Sequence, residues 1–226
     1  MTEHTGEGLV IFGVSNIISD LFDCALALRI PVKKLVIHVA ESPHERDLPI
    51  ADRIAAYSRL AQPPVLQTME TFRPEPGERY LLGPTTPQRF QLAELLVRLH
   101  AIRFMTLVHP TAYVSPLARL SPGVFVGANS VIAAGAELGE HVFVNRGVTI
   151  GHDTRIGAFA RIQPGSHLGG LSRIGDGVTV GLGATVLERL HIGDYAVIGA
   201  GAVVLHDVPE RVLVVGAPAK VKKNLT

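Results

Sequence analysis

The chain has 226 residues, 21 basic against 20 acidic side chains, and 47% hydrophobic residues. That length holds one large domain or two modest ones, each able to bury a core, and the apolar content excludes disorder. A net charge of +1 argues against capture of nucleic acid or a membrane surface by bulk electrostatics.

Taken in order, the N-terminal MTEHTGEG lacks the basic start and apolar stretch of a secretory signal. No later run approaches the ~18 apolar residues of a membrane span. A cytoplasmic protein without membrane insertion is therefore expected. LVIFG (9–13) is a short apolar run ending in glycine and predicts a strand. SNIISDLFDCALALR follows with helical apolar spacing and with Ser15 or Asn16 available as a cap. Within it the lone Cys24 reads as a small apolar helix residue, and a single cysteine leaves neither an internal disulfide nor a cysteine metal site. KLVIHVA (34–40) predicts a second strand, followed by a polar stretch through Glu45, Arg46 and Asp47. Residues 63–77, rich in Pro, Glu and Thr, read as a loop or irregular connector. YLLG (80–83) predicts a further strand, and Thr85 and Thr86 are potential caps for a helix over 88–100. Strand, helix and strand in this order suggest a small parallel α/β, Rossmann-like domain over 1–107.

From 108 the grammar changes. Sixteen aliphatic residues stand six apart without interruption from Val114 to Val204. Two positions before each is a small or β-branched residue, with Leu190 the sole departure, and one position after it is glycine in nine cases. Period six is neither the helical 3.6 nor simple strand alternation; it implies short flat strands joined by tight corners. Three hexads make one triangular coil, with each aliphatic side chain pointing inward. Pro110, Pro116 and Pro122 recur at one place in three successive hexads, just after the corner, where proline is tolerated. The repeat runs to about 207, and DVPERVLVVGAPAKVKKNLT departs from it. The α/β domain and this tail would cap the two ends of the stack in a second domain over 108–226.

The hexads and the terminal VVGAPAKVKK resemble the left-handed parallel β-helix of the hexapeptide-repeat acyltransferases. The order of domains is similar to that of bacterial sugar acetyltransferases, which include enzymes acting on nucleotide-linked amino sugars and relatives of sialic acid O-acetyltransferases. The resemblance implies a homotrimer, acetyl-CoA as co-substrate in the groove between prisms, and a small-molecule acceptor, a nucleotide-linked or free sugar. Acetylation of an amino group on a nucleotide-linked deoxyamino sugar is the preferred expectation. O-acetylation of a sugar or small natural product is the alternative, and a non-catalytic β-helix scaffold is the alternative of another class.

Acyl transfer from a thioester needs a base for the nucleophile and a donor for the oxyanion, and histidine suits the first role. The resemblance places the catalytic pair at His152 and Asp153. Counting two from the inward Ile150 turns His152 outward, and Asn145 is a candidate for positioning the ring or the acceptor. Gly169 or Gly170 is the expected source of an oxyanion N–H. His141, His167 and His191 are competing histidines, expected at the surface or an interface. The related γ-type carbonic anhydrases bind zinc through a close histidine pair that this spacing lacks, so no metal is expected. For acetyl-CoA the resemblance points to Arg161, Leu182, Ala200 and Lys220. For the acceptor it points to the loop with Gly13, Ser15 and Asn16, to His38 where an aspartate is usual, and to Gly83.

Overall fold

The computed structural model describes residues 8–13, 15–40 and 47–225. The chain divides into two compact units, 1–85 with 91–105, and 86–90 with 106–226.

The first unit is built on a parallel sheet of β1 (Gly8–Phe12), β2 (Val32–Ile37), β3 (Val65–Thr68) and β4 (Glu78–Leu82), in the order β3-β2-β1-β4. Every residue of β1 is buried, as expected of a central parallel strand covered on both faces. Helix α1 (Ile18–Ala27) buries Ile18, Leu21, Phe22, Cys24 and Ala25, a stripe set by helical spacing. Burial, with the charge of Asp23 behind it, pushes the Cys24 thiol up to about 12, so it is inert as a nucleophile.

Four expectations are corrected here. Helix α1 starts with Ile17 at its N-cap and no side-chain cap. Ser15 Oγ instead donates to Gly83 O at 2.8 Å, and Asn16 Nδ2 donates to Asp47 Oδ1 at 2.9 Å. Both polar residues therefore tie loops together instead of closing the helix. Second, a short helix α2 (Ile50–Tyr57) lies beyond the polar stretch, where none was foreseen. Third, β3 falls inside the segment read as a connector. Among the described residues it pairs only with β2, and an exposed edge strand does not need the apolar alternation that announces a half-buried one. The predicted second strand also shifts: β2 ends at Ile37, which leaves His38 just beyond its carboxyl end. The last helix, α3 (Arg89–His100), lies where the sequence predicts it.

The second unit is a left-handed parallel β-helix with three faces. Face I carries β5 (Leu107–Val108), β8 (Phe125–Val126), β11 (Phe143–Val144), β14 (Arg161–Ile162), β17 (Thr179–Val180) and β20 (Val197–Ile198). Face II carries β6 (Tyr113–Val114), β9 (Val131–Ile132), β12 (Thr149–Ile150), β15 (His167–Leu168), β18 (Thr185–Val186) and β21 (Val203–Val204). Face III carries β7 (Arg119–Leu120), β10 (Glu137–Leu138), β13 (Arg155–Ile156), β16 (Arg173–Ile174) and β19 (His191–Ile192). Ladder partners lie one coil apart, Thr149 standing opposite Val131 and His167. The inward column, including Ile132, Ile150, Ile162, Val180 and Ile198, is buried, and Leu190 packs partly buried against it.

The small residues before the aliphatics do more than fill corners. Ser130, Thr154, Ser166 and Ser172 each donate through the hydroxyl to a carbonyl fifteen residues on, at 2.8 to 3.1 Å. They satisfy backbone groups that a tight corner would otherwise leave unpaired. The three prolines sit inside the turns themselves. The tail does not leave the prism at once: β22 (Val212–Val215) adds a parallel rung to face I beside β20, and β23 (Lys220–Asn224) returns antiparallel.

Candidate active site

Each face is bounded by two edges where the chain turns. The edge from face II to face III carries His152 and Asp153. Its backbone is locked to the coils on either side: Asp153 N–H donates to Ala134 O at 2.9 Å, and Leu171 N–H to His152 O at 2.8 Å. Asp153 takes a left-handed φ of 56°, which aspartate tolerates better than most side chains. His152 Nδ1 lies 2.8 Å from Asp153 Oδ2, with the two side chains 62% and 58% exposed. A carboxylate accepting from Nδ1–H leaves the Nε2 lone pair outward, the arrangement a general base needs.

Two glycines make room for this pair. A Cβ on Gly170 would lie 2.8 Å from His152 Nε2, and one on Gly135 would lie 2.2 Å from Asp153 Oδ1. Each stands one coil from the residue it accommodates. Neither was marked from the sequence as making room for the pair, although adding or subtracting one coil would have found both. Gly170→Ala is expected to push the imidazole aside and lower kcat about 10- to 100-fold, with the melting temperature nearly unchanged. Steady-state rates beside a thermal melt check this.

The edge from face I to face II carries Leu182, which is 58% exposed, and Ala200, also exposed. Beside them a column of Gly147, Gly165, Gly183 and Gly201 takes φ of 63° to 68°, and a Cβ on any of the four would meet open space. This edge is smooth, and an extended thioester arm can approach its backbone closely. Gly147 and Gly165 were missed from sequence; the coil-length period marks them. Asn145 belongs to this edge and not to that of His152. It is buried, and its Oδ1 accepts from Arg146 N–H at 2.8 Å. Arg161 stands on face I with Nε donating to Thr179 Oγ1 at 3.2 Å, its pKa lowered by burial. Lys220 opens β23 and is exposed. In a single chain, then, the His–Asp pair and the glycine edge lie on opposite sides of face II.

The competing histidines separate clearly. His141 is buried, a correction to its expected surface position. Its ring stacks on Phe159 at 4.9 Å, and its carbonyl accepts from the Arg89 guanidinium. Burial and the Arg89 charge push its imidazole down to about 4, which leaves it a weak base. His167 is exposed and shares a 2.8 Å hydrogen bond with Thr149 Oγ1, and His191 is exposed on face III. Gly169 is already committed, its N–H donating to Val186 O at 2.8 Å, which removes it as an oxyanion donor. Among the described residues, no group of three or more His, Cys, Asp or Glu side chains is placed to hold a metal ion. No helix among them is long and apolar enough to cross a membrane.

In the first unit the acceptor candidates gather at the carboxyl ends of the strands. Because β1 lies between β2 and β4, the strand order reverses beside it, and such a switch point is where open α/β sheets bind ligands. Gly13 N–H donates to Val36 O at 2.7 Å and Gly83 N–H to Phe12 O at 2.8 Å. A Cβ on Gly83 would lie 2.2 Å from Gly13 O, so the two loops need glycine to touch. Arg53, unforeseen because α2 was, braces this loop by donating to Asn16 O, Asn16 Oδ1 and Ser19 Oγ at 2.7 to 3.0 Å.

Comparisons agree with this geometry. A sequence profile of the hexapeptide repeat of succinyl-transferase matches residues 123–151 and 172–206. Comparison with curated protein sequences gives no match. Among solved structures, PerB from Caulobacter crescentus in complex with CoA and GDP-perosamine is 28% identical, with TM-score 0.79 over 97% of this chain and 99% of that one. The acetyltransferase domain of PglB from Neisseria gonorrhoeae in complex with acetyl coenzyme A is also 28% identical, with TM-score 0.79 over 95% and 98%. WeeI from Acinetobacter baumannii shares the fold at 18% identity, with TM-score 0.71 over 95% and 99%. With its hexad-built β-helix following a parallel α/β unit, the chain carries the hexapeptide repeat and is similar over nearly its whole length to acetyltransferases of solved structure.

Proposed function

We propose that the protein transfers an acetyl group from acetyl-CoA to an amino group of a nucleotide-linked deoxyamino sugar, directly and without an acyl-enzyme. The His152–Asp153 pair carries the reading: an oriented imidazole at 2.8 Å from its carboxylate, exposed on a rigid corner. Similarity along the whole chain to a protein holding CoA and GDP-perosamine supports both substrates. The buried Cys24 thiol offers no nucleophile. His152 Nε2 takes a proton from the amine as its nitrogen attacks the thioester carbonyl. The C–N bond forms, the oxyanion collapses, the C–S bond breaks, and the thiolate leaves and is protonated. Asp153 holds the ring in its tautomer and steadies the imidazolium.

The division of labour is residues 1–107 for the acceptor and 108–226 for acyl transfer, in a cytoplasmic homotrimer. Placement of the catalytic pair and the glycine edge on opposite sides of face II supports the trimer, because a neighbouring prism is needed to bring His152 of one copy against Leu182 and Ala200 of the next. Arg161 and Lys220 would serve the same bound acetyl-CoA, and Asn145 would meet the acceptor amine from the glycine edge.

Release of free thiol from acetyl-CoA, measured across a panel of nucleotide-linked amino sugars, tests the activity. Assembly is tested by mixing two inactive variants, His152→Ala and Gly201→Trp. Random reassembly places an intact base beside an intact edge at one interface in four, so about a quarter of wild-type activity is expected. No recovery in reassembled trimers would show that the site is not shared, and no thiol release with any acceptor would exclude the activity.

A further inference from the structure

His38 stands at the carboxyl end of β2, the position from which a side chain reaches the sugar ring of a nucleoside bound at a switch point. Selection of ribose there ordinarily rests on a carboxylate, which accepts from the vicinal hydroxyls with charge-assisted bonds. Here the half-buried imidazole is held against Gly13, where a Cβ would lie 3.1 Å from Nδ1. His38 Nδ1 is enclosed without a hydrogen-bond partner among the described residues. An enclosed N–H without a partner is costlier than an enclosed lone pair, so the proton sits on Nε2, the open side of the ring. Burial lowers the pKa of His38 and keeps it uncharged near neutrality. The nearest described carboxylate further along the chain, Asp47, is already accepting from Asn16.

We propose that the acceptor site takes ribonucleoside and 2′-deoxyribonucleoside diphosphate sugars alike, because among the described residues the end of β2 offers the one neutral N–H of His38 where selection of ribose needs a carboxylate. This rests on the nucleotide-sugar reading above. When the 2′-hydroxyl is missing, Nε2–H turns to water, so little binding is lost. The site's discrimination therefore moves from the ribose to the base and the amino sugar.

Calorimetric titration of the intact protein with UDP, dUDP, GDP and dGDP tests this. For whichever base binds, the ribo and deoxy dissociation constants should agree within about threefold. His38→Asp should restore a preference for the ribo form of at least about tenfold, with acetyl-CoA binding unchanged as the check on folding. A wild-type preference beyond threefold, or an unchanged ratio in folded His38→Asp, overturns the proposal. If no diphosphate binds while acetyl-CoA does, the nucleotide-sugar reading itself fails along with it.

Discussion

Replacing His152 by alanine is expected to lower kcat/KM for acetyl transfer roughly 10²- to 10⁴-fold, the usual worth of a positioned general base. The melting temperature and oligomer size should stay as they are. The side chain is 62% exposed and bonds, among the described residues, to the neighbouring Asp153, so no core contact or ladder hydrogen bond goes with it. The corner itself is held by backbone bonds to Ala134 and Leu171, which alanine keeps. Asp153→Asn should give a smaller loss of kcat, because the ring stays in place while the charge that steadies the imidazolium is gone. His167→Ala supplies the discriminating control. It too is an exposed histidine near face II, bonded to Thr149, and a loss equal to that of His152→Ala would move the base to the other ring. Parallel steady-state assays with size-exclusion chromatography decide between the two.

The β-helix was legible in the sequence because its geometry repeats: a prism with three two-residue strands per coil forces one inward aliphatic every six residues, and no tertiary contact can hide that. The same counting put His152 on an outer corner. What it left out needed the second period, the coil. Gly170 and Gly135 lie one coil after His152 and one coil before Asp153, and the column from Gly147 to Gly201 has the same spacing. A one-dimensional reading in hexads sees these only as turn glycines. The burial of His141 was not legible for another reason. Its hexad position faces outward, and it is covered by Phe159 and by Arg89, a residue 52 positions away in sequence. In the first unit α2 was hidden by its shortness, since Ile50, Ile54 and Tyr57 mark only two turns behind Pro49. β3 was hidden by an edge position that leaves most of its side chains exposed. The glycine and histidine at the strand ends were found, but the Arg53 brace depends on α2 and was lost with it.

The largest stability effect outside the prism is expected at Lys34. Its ammonium lies 2.6 Å from Glu78 Oε1 and 2.7 Å from Glu75 Oε1, with the Lys34 side chain 7% and the Glu78 side chain 0% exposed. Glu78 Oε2 also accepts from Glu75 N–H at 2.8 Å and from Tyr80 Oη–H at 3.2 Å, so the carboxylate is fixed where it is. Lys34→Met removes the cation and leaves that carboxylate buried without its partner, which should cost about 3–5 kcal/mol. Adding Glu78→Gln removes the stranded charge while keeping an acceptor for Tyr80, and should recover most of the loss. Urea unfolding midpoints at constant slope measure both. The alkaline limb gives an independent check. Burial works against the charged form of Lys34, but its bonds to Glu75 and Glu78 and their charges outweigh this and raise its pKa above the ordinary 10.5. A raised lysine stabilises the fold fully below the unfolded pKa, and that contribution fades as pH climbs through the folded value. Tyr80, pushed up to about 12 by burial and then by Glu78, acts in the same sense. The wild-type advantage over Lys34→Met should therefore be constant through neutrality and shrink above about pH 10.5. An advantage that instead grew with alkalinity would mean that the pair does not hold the sheet together.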